Sequence, residues 1–228
     1  ILGVTTGDCS NTQMLLEVLK LQGCRVITFA YPNQSIPKLA QRQLDGLARE
    51  LGTTLGKAEK AAGKLAPARR LAWEIDELTW KQGVVSGKEN HQWLVSTSDF
   101  NGDYEEYGRQ ATAFSARCRQ RRPYPPQLLR LAFIGVPPIF AQDLYPFVER
   151  YGARVVFNEV QRQFSMPFPG QTLAKQYALY TYPYSVFGRI SDIELQLQLR
   201  RIDGIIHYVQ AFCHRGIADI IFRRSLHR

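Results

Sequence analysis

The fold is decided by residues 1–30, ILGVTTGDCSNTQMLLEVLKLQGCRVITFA. A continuous apolar run at residues 1–6 predicts a buried strand, and apolar side chains at helical spacing predict a helix over residues 10–22. Residues 24–30 predict a second strand, and Gly23 suits the C-terminal cap of the helix before it. This order is a βαβ unit, in which the strands run parallel and the helix crosses over right-handedly.

The same order of elements recurs in the second half of the chain. Residues 130–136 predict a strand, residues 141–151 a helix and residues 153–158 another strand. Gly152 stands before that second strand, at the place that a glycine occupies in the first unit. Further on, residues 203–213, DGIIHYVQAFC, predict a third strand, and the following stretch predicts a helix. We interpret the two regions as related α/β units.

A long helical segment separates the two units. Its apolar periodicity is interrupted at Gly63, Pro67 and Gly83, where we expect helix breaks, and RRPYPPQ at residues 121–127 predicts a linker. We therefore predict an α/β fold with two Rossmann-like parallel-sheet units joined by a helical bridge. The predicted parts are residues 1–35 in the first α/β domain, 36–122 in the bridge and 123–228 in the second α/β domain.

Composition points to an ordinary globular protein in a reducing compartment. Hydrophobic residues make up 45% of the chain, and no run approaches the roughly 18 consecutive apolar residues of a membrane span. The four cysteines are scattered, unlike the dense framework of a small secreted domain. We expect a soluble, cytoplasmic protein. The chain opens without Met and stops at FRRSLHR, residues 222–228, without a stop signal, so we expect a fragment.

The net charge of +9 is concentrated in one interval. No acidic residue occurs between Glu106 and Asp143, while six arginines do: Arg109, Arg117, Arg119, Arg121, Arg122 and Arg130. Such a basic patch suits nucleic acid, an anionic cofactor or an acidic partner protein, and a solvated helix face is the alternative. No zinc-finger, RNP or zipper pattern accompanies it, so we expect no sequence-specific nucleic-acid binding.

Two cysteines occupy positions typical of ligand binding in open parallel sheets. Cys9 and Cys213 each follow a predicted strand and precede a predicted helix, at the edge where ligands gather. A helix N-terminus favours the thiolate, which is the form that binds iron or attacks an electrophile. We expect the two thiols to meet in a cleft between facing domains, although buried structural cysteines are the alternative.

The other cysteines have simpler interpretations. Cys24 begins a predicted strand and reads as a small buried hydrophobe. Cys118, in ARCRQRR, has a cationic setting that would activate a thiol, but a position on a helix surface explains it as well. A nucleophilic pair of Cys213 with His214 is a further alternative, which we rank low because adjacent helical residues do not face one another.

Four motifs carry a family resemblance: GVTTGDCSNTQ (residues 3–13), FIGVPPIF with DLYPFVERYGARVVFNEVQRQF (133–140 and 143–164), YTYPYSVFGRI (180–190) and DGIIHYVQAFCHRGIADII (203–221). Together they resemble the 2-hydroxyacyl-CoA dehydratase family, which includes benzoyl-CoA reductase subunits and double-cubane-cluster reductases. The resemblance covers nearly the whole chain, including the helical bridge.

The resemblance implies an oxygen-sensitive iron–sulfur protein of anaerobic metabolism, with Cys9 and Cys213 matching two cluster ligands by position. The implied cofactor is a [4Fe–4S] or double-cubane cluster, and the implied partners are an acyl-CoA substrate, an ATP-dependent activator protein and a homologous subunit in a homo- or heterodimer. The implied activity is that of a hydro-lyase. Family members carry a further cysteine in a more N-terminal segment, so we expect this chain to lack that segment.

Several residues near the predicted cleft are weaker candidates. At the end of one predicted strand, Asn158, Glu159, Gln161 and Arg162 present polar groups, and Pro137 and Pro138 predict a rigid turn. His214 lies beside a predicted ligand, whereas His207 reads as a core histidine, and Tyr180, Tyr182 and Tyr184 as packing residues. Alternative functions are an ATP-dependent reductase subunit of the double-cubane or benzoyl-CoA type, or a non-catalytic companion subunit that binds through the arginine patch.

Overall fold

A computed structural model describes residues 1–7 and 10–226 of the chain. Within them, helices alternate with strands that form two separate parallel sheets, which confirms the predicted α/β class. The strands are β1 Leu2–Thr6, β2 Ile27–Ala30, β3 Leu129–Gly135, β4 Ala153–Asn158 and β5 Gly204–Tyr208. The α-helices are α1 Ser10–Leu21, α2 Pro37–Glu50, α3 Leu55–Glu77, α4 Gly87–Val95, α5 Tyr104–Cys118, α6 Ala141–Arg150, α7 Glu159–Phe164, α8 Leu173–Leu179, α9 Val186–Leu199 and α10 Asp219–Ser225.

Contacts divide the chain into two compact units that interleave along the sequence. The first unit comprises the described parts of residues 1–64, 168–192 and 212–228, and the second comprises residues 65–167 and 193–211. The chain therefore passes between the units in the middle of α3 and of α9. The domain boundaries predicted at residues 36 and 123 divide the chain differently and stay predictions.

In the first unit, β1 and β2 pair in parallel on either side of the crossover helix α1, as predicted. The helix is held against β1 by Leu16, because a Cβ atom at Gly3 would lie only 2.5 Å from Leu16 Cδ1. Leu16 is buried, whereas Met14, Leu15 and Val18 are exposed. The apolar spacing thus predicted helix α1, but the buried face of the helix is the one that carries Leu16, which packs against Gly3 of β1.

The second strand of the first unit is shorter than predicted. The N–H of Gly23 donates to the carbonyl of Lys20 at 2.9 Å, and the N–H of Cys24 donates to that of Leu19 at 3.0 Å. This pair of bonds, with Gly23 at a φ of +81°, is the Schellman ending of a helix. Because Cys24 belongs to the helix ending, β2 begins only at Ile27.

The predicted helical bridge is helical, but two of its expected breaks are wrong. Helix α3 runs through both Gly63 and Pro67 without interruption. Pro67 forfeits a single backbone hydrogen bond, and the buried residues that follow it, Ala68, Ala72 and Ile75, pack into a core that supports the helix. The break at Gly83 is confirmed: this residue, at a φ of +66°, ends a π-helical turn at Leu78–Gln82.

The second unit contains a three-stranded parallel sheet in the order β4-β3-β5. The predicted strands at residues 130–136 and 153–158 are confirmed within one residue. Strand β4 is buried along its whole length, as expected for a parallel strand covered on both faces. On one face of the sheet, Phe133 and Val155 pack against Tyr145 and Val148 of α6. The centre of the sheet is β3, so the chain reverses its direction of winding around that strand.

None of the helices in the described ranges 1–7 and 10–226 is long and apolar enough to span a membrane.

Candidate functional site

The carboxyl end of β1 is a tightly packed turn in the first unit. Gly7 follows the strand with a φ of +93°, and a Cβ atom at this position would lie 2.6 Å from Pro183 Cβ and 3.1 Å from Tyr31 Cβ. Only glycine fits here, since the conformation is left-handed and the space is already filled. Asp8 and Cys9, which come next, lie outside the described residues.

Cys213 does not close a strand, so that part of the prediction is wrong. Strand β5 ends at Tyr208, which pairs with Gly135, the last residue of β3. Because β3 goes no further, the chain after Tyr208 has no neighbour to pair with and turns away. Cys213 is the N-cap residue of a 3-10 helix at His214–Ala218, so a helical segment does follow it at once. Its side chain is half-buried and the neighbouring His214 is exposed.

Arg215 connects the segment around Cys213 to the end of β1. Its Nη2 atom donates a hydrogen bond of 2.5 Å to the carbonyl oxygen of Gly7. Its guanidinium group lies over the ring of Tyr182, 4.2 Å from the centroid, and the guanidinium group of Arg189 lies over the same ring at 4.8 Å. All of these residues belong to the first unit. The fold therefore joins a residue two positions before Cys9 to one two positions after Cys213.

An aromatic cluster lies beneath this edge of the first sheet. Tyr31 directly follows β2, and its ring lies 6.0 Å from that of Tyr177, 6.1 Å from that of Tyr180 and 5.8 Å from that of Tyr184. Tyr180 and Tyr184 are buried, and the Tyr184 hydroxyl donates to the carbonyl of Tyr177 at 3.0 Å. Both tyrosines pack the core, as predicted. Tyr182, which contacts two arginines, is half-buried.

In the second unit, the polar residues predicted at the end of β4 are buried. Asn158 is fully enclosed and bridges three elements. Its Nδ2 donates to Asn90 Oδ1 at 2.7 Å and to the carbonyl of Gly87 at 3.2 Å, and its Oδ1 accepts from the Tyr145 hydroxyl at 2.7 Å. Every polar atom of this side chain is thereby satisfied within the protein. Asn158 is not exposed for binding a substrate.

Glu159 is also directed inward. It is 1% exposed, and its Oε2 accepts a 2.9 Å hydrogen bond from the backbone N–H of Gly135. Gly135 has a φ of +106°, and a Cβ atom there would lie 2.0 Å from the carbonyl oxygen of Tyr208. The carboxylate and the glycine thus fix the point at which the central strand leaves the sheet. The Pro137–Pro138 stretch that follows has no regular structure.

A buried ion pair between Asp76 and Arg200 is connected to Asn158 through hydrogen bonds. Arg200 binds both carboxylate oxygens of Asp76, at 2.9 and 2.6 Å, and donates to the carbonyl of Val156 at 2.9 Å. Asn90 links this pair to Asn158, since its Nδ2 donates to Asp76 Oδ1 at 3.0 Å. Burial opposes the ionisation of Asp76, but the adjacent guanidinium group holds the pKa of the carboxyl below its ordinary value.

Sequence reasoning missed His91, which belongs to this network. Its Nδ1 lies 3.1 Å from Gln161 Nε2, and its ring lies 5.6 Å from that of Tyr145. Burial lowers the pKa of His91 to about 4, so the imidazole is neutral at pH 7. The sequence feature that could have indicated His91 is the capping box formed by Ser86 and Glu89, which marks the start of α4. With the helix placed there, His91 lies on the same helix face as buried Leu94.

The remaining predicted residues are placed as follows. Arg162 is half-buried in α7, and Gln161 is fully buried beside His91. His207 lies in the middle of β5 opposite Ile134 and is half-buried, so it stands in a strand as predicted.

A comparison with protein-family models identifies the chain. The model for the 2-hydroxyglutaryl-CoA dehydratase D-component matches residues 1–227. The chain belongs to this family. The match confirms the resemblance carried by the four motifs. No curated protein matches the chain. The D-component is one component of a dehydratase, so the family membership makes the chain a component of such an enzyme.

Membership in the D-component family raises the question of whether these residues fit an iron–sulfur cluster, which cysteine thiolates hold. Cys213 fits in donor type, because it is a half-buried cysteine that begins a helical turn. Among the described residues, no group of three or more His, Cys, Asp or Glu side chains is close enough to hold a metal ion. The described residues by themselves therefore show no complete ligand set for a cluster.

The other two cysteines of this D-component do not resemble ligands. Cys118 is completely buried in the core of the second unit, so its prediction as a helix-surface residue is wrong. Burial raises the pKa of the Cys118 thiol, and the nearby arginines do not compensate. Cys24 is half-buried rather than buried, and its backbone ends helix α1. The raised pKa disfavours the thiolate form of Cys118.

The arginine patch predicted from the sequence is partly engaged by intramolecular partners within the second unit. Four of its six members have intramolecular partners: Arg109 with Glu106, Arg119 with Glu74, Arg121 with Glu89, and Arg130 with the carbonyl oxygens of Trp80 and Arg200. Acidic residues that are distant in sequence return to this surface in the fold. The patch therefore offers fewer unengaged cations to a partner than the sequence indicates.

Proposed function

We propose that this protein is the iron–sulfur component of a radical-type 2-hydroxyacyl-CoA dehydratase and that Cys9 and Cys213 are two of its cluster ligands. The family match supports the dehydratase part of the proposal. The observation that carries the ligand assignment is the hydrogen bond from Arg215 to Gly7, which joins the two cysteine-bearing segments within one compact unit. We propose a [4Fe–4S] or double-cubane cluster.

The chemistry gives this cofactor a purpose. The β-hydrogen of a 2-hydroxyacyl thioester is not acidic, so simple base-driven loss of water meets a high barrier. A low-potential cluster held by Cys9 and Cys213 would supply the one-electron reduction of the thioester that makes loss of the 2-hydroxyl group possible. Dehydration is redox-neutral overall, so no electron would be consumed in a complete turnover. The protein must therefore protect a strong one-electron reductant from water and oxygen.

The residues around the proposed site have distinct tasks. With a cluster bound by Cys213, Arg215 would supply a permanent positive charge two residues along the chain from that ligand. For exposed His214, next to Cys213, we propose a position near the substrate. For Asn158 and Glu159 we propose a supporting task, which is to hold the carboxyl edge of the second sheet rigid.

We also propose two protein partners. An ATP-dependent activator delivers the low-potential electron, and a homologous subunit completes the enzyme as a homo- or heterodimer that binds the acyl-CoA. A ligand set with two cysteines from this chain leaves iron positions for other donors.

The test is anaerobic expression of the full-length protein, followed by iron and sulfide analysis and by electron paramagnetic resonance after reduction. We expect a cluster in the wild type and at least a fivefold lower iron content in Cys9→Ser and Cys213→Ser. Cys24→Ser is the matched control and keeps the wild-type iron content. Iron-free wild-type protein that co-purifies with a cluster-bearing homologous subunit would instead make it a companion subunit and overturn the proposal.

A further inference from the structure

We infer that the outer edge of β2, the one that faces away from β1, is a docking site for an acidic, extended segment of a partner protein. The segment adds to the first sheet as a further strand. The inference goes beyond the proposed function and does not depend on the cysteine ligands. The residues that carry it are described ones and belong to the first unit.

The outer edge of β2 offers backbone groups to another chain. Among the described residues, β2 pairs with β1 alone. The N–H of Ile27 donates to the carbonyl of Ile1 at 2.8 Å, and alternate residues of a parallel ladder bond to the same neighbour, so the backbone polar groups of Thr28 point away from β1. The strand, ITFA, contains neither lysine nor proline, which commonly protect such edges. The edge is therefore a template for strand addition.

A cavity of about 410 Å³ lies beside this edge. It is lined by Thr28 and Phe29 of β2 and by five residues of α2: Gln43, Gly46, Leu47, Arg49 and Glu50. Strand β1, which is described throughout, contributes no lining residue, so the cavity lies on the side of β2 that faces away from β1. Its volume is within the range of roughly 300–1,000 Å³ that is usual for binding pockets. Because β2 has four residues and is about 13 Å long, the site suits a short extended segment.

Gly46 is a second indication that another chain approaches here. It stands inside helix α2, where glycine is less favourable than alanine. A Cβ atom at Gly46 would meet no atom within 4 Å, and its φ is not positive, so neither packing inside the unit nor backbone conformation requires glycine. Because Gly46 lines the cavity, the missing side chain leaves room for a second backbone close to the helix.

The charge of the first unit favours an acidic partner. This unit carries 14 Lys and Arg residues against 7 Asp and Glu residues, whereas the second unit carries 15 against 13. The excess positive charge of the protein is therefore concentrated in the unit that contains the cavity. A second copy of this chain would bring two such basic units together, so electrostatic repulsion disfavours self-association at this edge.

Two arginines supply positive charge at the site itself. Arg49 lines the cavity, and its Nε donates to the carbonyl of Asp45 at 3.3 Å. Arg25, which shortly precedes β2, donates from Nη2 to the carbonyl of Glu50 at 3.3 Å. Both acceptors are neutral carbonyl groups, so these bonds fix the guanidinium groups without cancelling their charge. Carboxylates on the added strand would complement them.

The first experiment measures the binding of a synthetic strand to the full chain by fluorescence anisotropy. The probe is a labelled hexapeptide of alternating valine and glutamate, and the same peptide with lysine in place of glutamate is the charge control. We expect the glutamate peptide to bind at least tenfold more tightly, and about 0.5 M salt to weaken it by screening. No binding of the glutamate peptide, or equal binding of the two peptides, would overturn the inference.

Variants of the protein locate the binding site. Gly46→Leu places a side chain beside the cavity and should weaken binding at least tenfold. Gly63→Leu is the matched control, because Gly63 is also a helix glycine of the first unit with open space around it but does not line the cavity. It should keep the wild-type affinity. Wild-type affinity in folded Gly46→Leu would contradict the proposed site.

A surface variant keeps the test informative if Gly46→Leu does not fold. Arg49→Glu changes an exposed side chain and should weaken the binding of the glutamate peptide at least fivefold. Unchanged affinity in Arg49→Glu would remove the electrostatic part of the inference and with it the acidic partner.

The second experiment tests whether the peptide binds as a strand. Two versions of the glutamate peptide carry N-methyl groups on alternate amides, at odd positions in one and at even positions in the other. Only one set of amides faces β2, so one version should lose binding and the other should keep it. Equal behaviour of the two versions would contradict strand addition.

Sedimentation velocity of the protein without peptide tests the competing occupant. We expect no dimer that depends on the outer edge of β2. A concentration-dependent dimer that Gly46→Leu abolishes and Gly63→Leu retains would identify a second copy of the chain as the occupant and overturn the assignment to an acidic partner.

Discussion

The two parallel sheets both contain βαβ units, but the residues at their carboxyl edges differ in burial and in hydrogen bonding. In the second unit, the residues that follow β4 turn inward, and Asn158 and Glu159 are completely enclosed. In the first unit, Thr6 at the end of β1 is exposed and Cys213 is half-buried beside Arg215. One edge has its polar groups satisfied internally, and the other keeps reactive groups within reach of solvent.

The difference shows what decides whether a strand end serves stability or binding. At the closed edge, helix α4 supplies Asn90 and the backbone of Gly87 as partners for Asn158. At the open edge, Arg215 donates to the backbone carbonyl of Gly7. The thiol of Cys213, which is the N-cap residue of the 3-10 helix, makes no capping hydrogen bond. Position at a strand end predicts a polar residue, but the packing around it decides its task.

The largest effect should come from breaking the buried ion pair of the closed edge. Asp76→Ala leaves the Arg200 guanidinium group enclosed without its carboxylate, so we expect the free energy of unfolding to fall by about 3–5 kcal/mol. Urea denaturation measures the change. Glu77→Ala, which removes an exposed partner of Lys81, is the control and should cost less than about 1 kcal/mol. Similar losses in the two variants would show that the edge is not closed.

A smaller effect should appear as a pH dependence of stability. Burial lowers the pKa of His91 to about 4 in the folded protein, below the ordinary value of 6.5. Between these two pH values the unfolded chain binds the additional proton, so stability should fall as the pH is lowered through this window. At about 1.4 kcal/mol per pH unit, the loss reaches about 3 kcal/mol.

The measurement for His91 is urea denaturation at a series of pH values from 7 to 4. His91→Gln keeps a polar side chain beside Gln161 and removes the titration, so its profile should be flatter across the window. An unchanged slope in that variant would mean that His91 is not enclosed as the structure describes.

The smallest effect should be found at the open edge. Cys213→Ser in iron-free protein should change the free energy of unfolding by no more than about 0.5 kcal/mol, because the side chain is half-buried and makes no capping hydrogen bond. Thermal denaturation under reducing conditions measures this value. A loss above about 2 kcal/mol would identify Cys213 as a structural core residue and remove the contrast between the two edges.

The sequence predicted the features that depend on local interactions, and it failed where contacts between residues distant in the chain decide the structure. The βαβ patterns, the glycine helix endings and the positions of β3 and β4 depend on local periodicity and backbone conformation, and they were predictable. The continuation of α3 through Pro67 was not, because a core built from distant residues compensates for the lost hydrogen bond. The burial of Cys118 was missed for the same reason. Its charged neighbours in the sequence indicated an exposed position, but Cys118 lies on the buried face of α5.

The sequence by itself determined the α/β class, the parallel pairing of β1 with β2 and the family, because each is written in local patterns and continuous motifs. Only the tertiary structure decided which strand-end residues are enclosed and which partner each one has. Arg215 and Gly7 lie 208 positions apart, and Asp76 and Arg200 lie 124 apart. No local pattern encodes such pairs, because they form only after the helices and strands have packed.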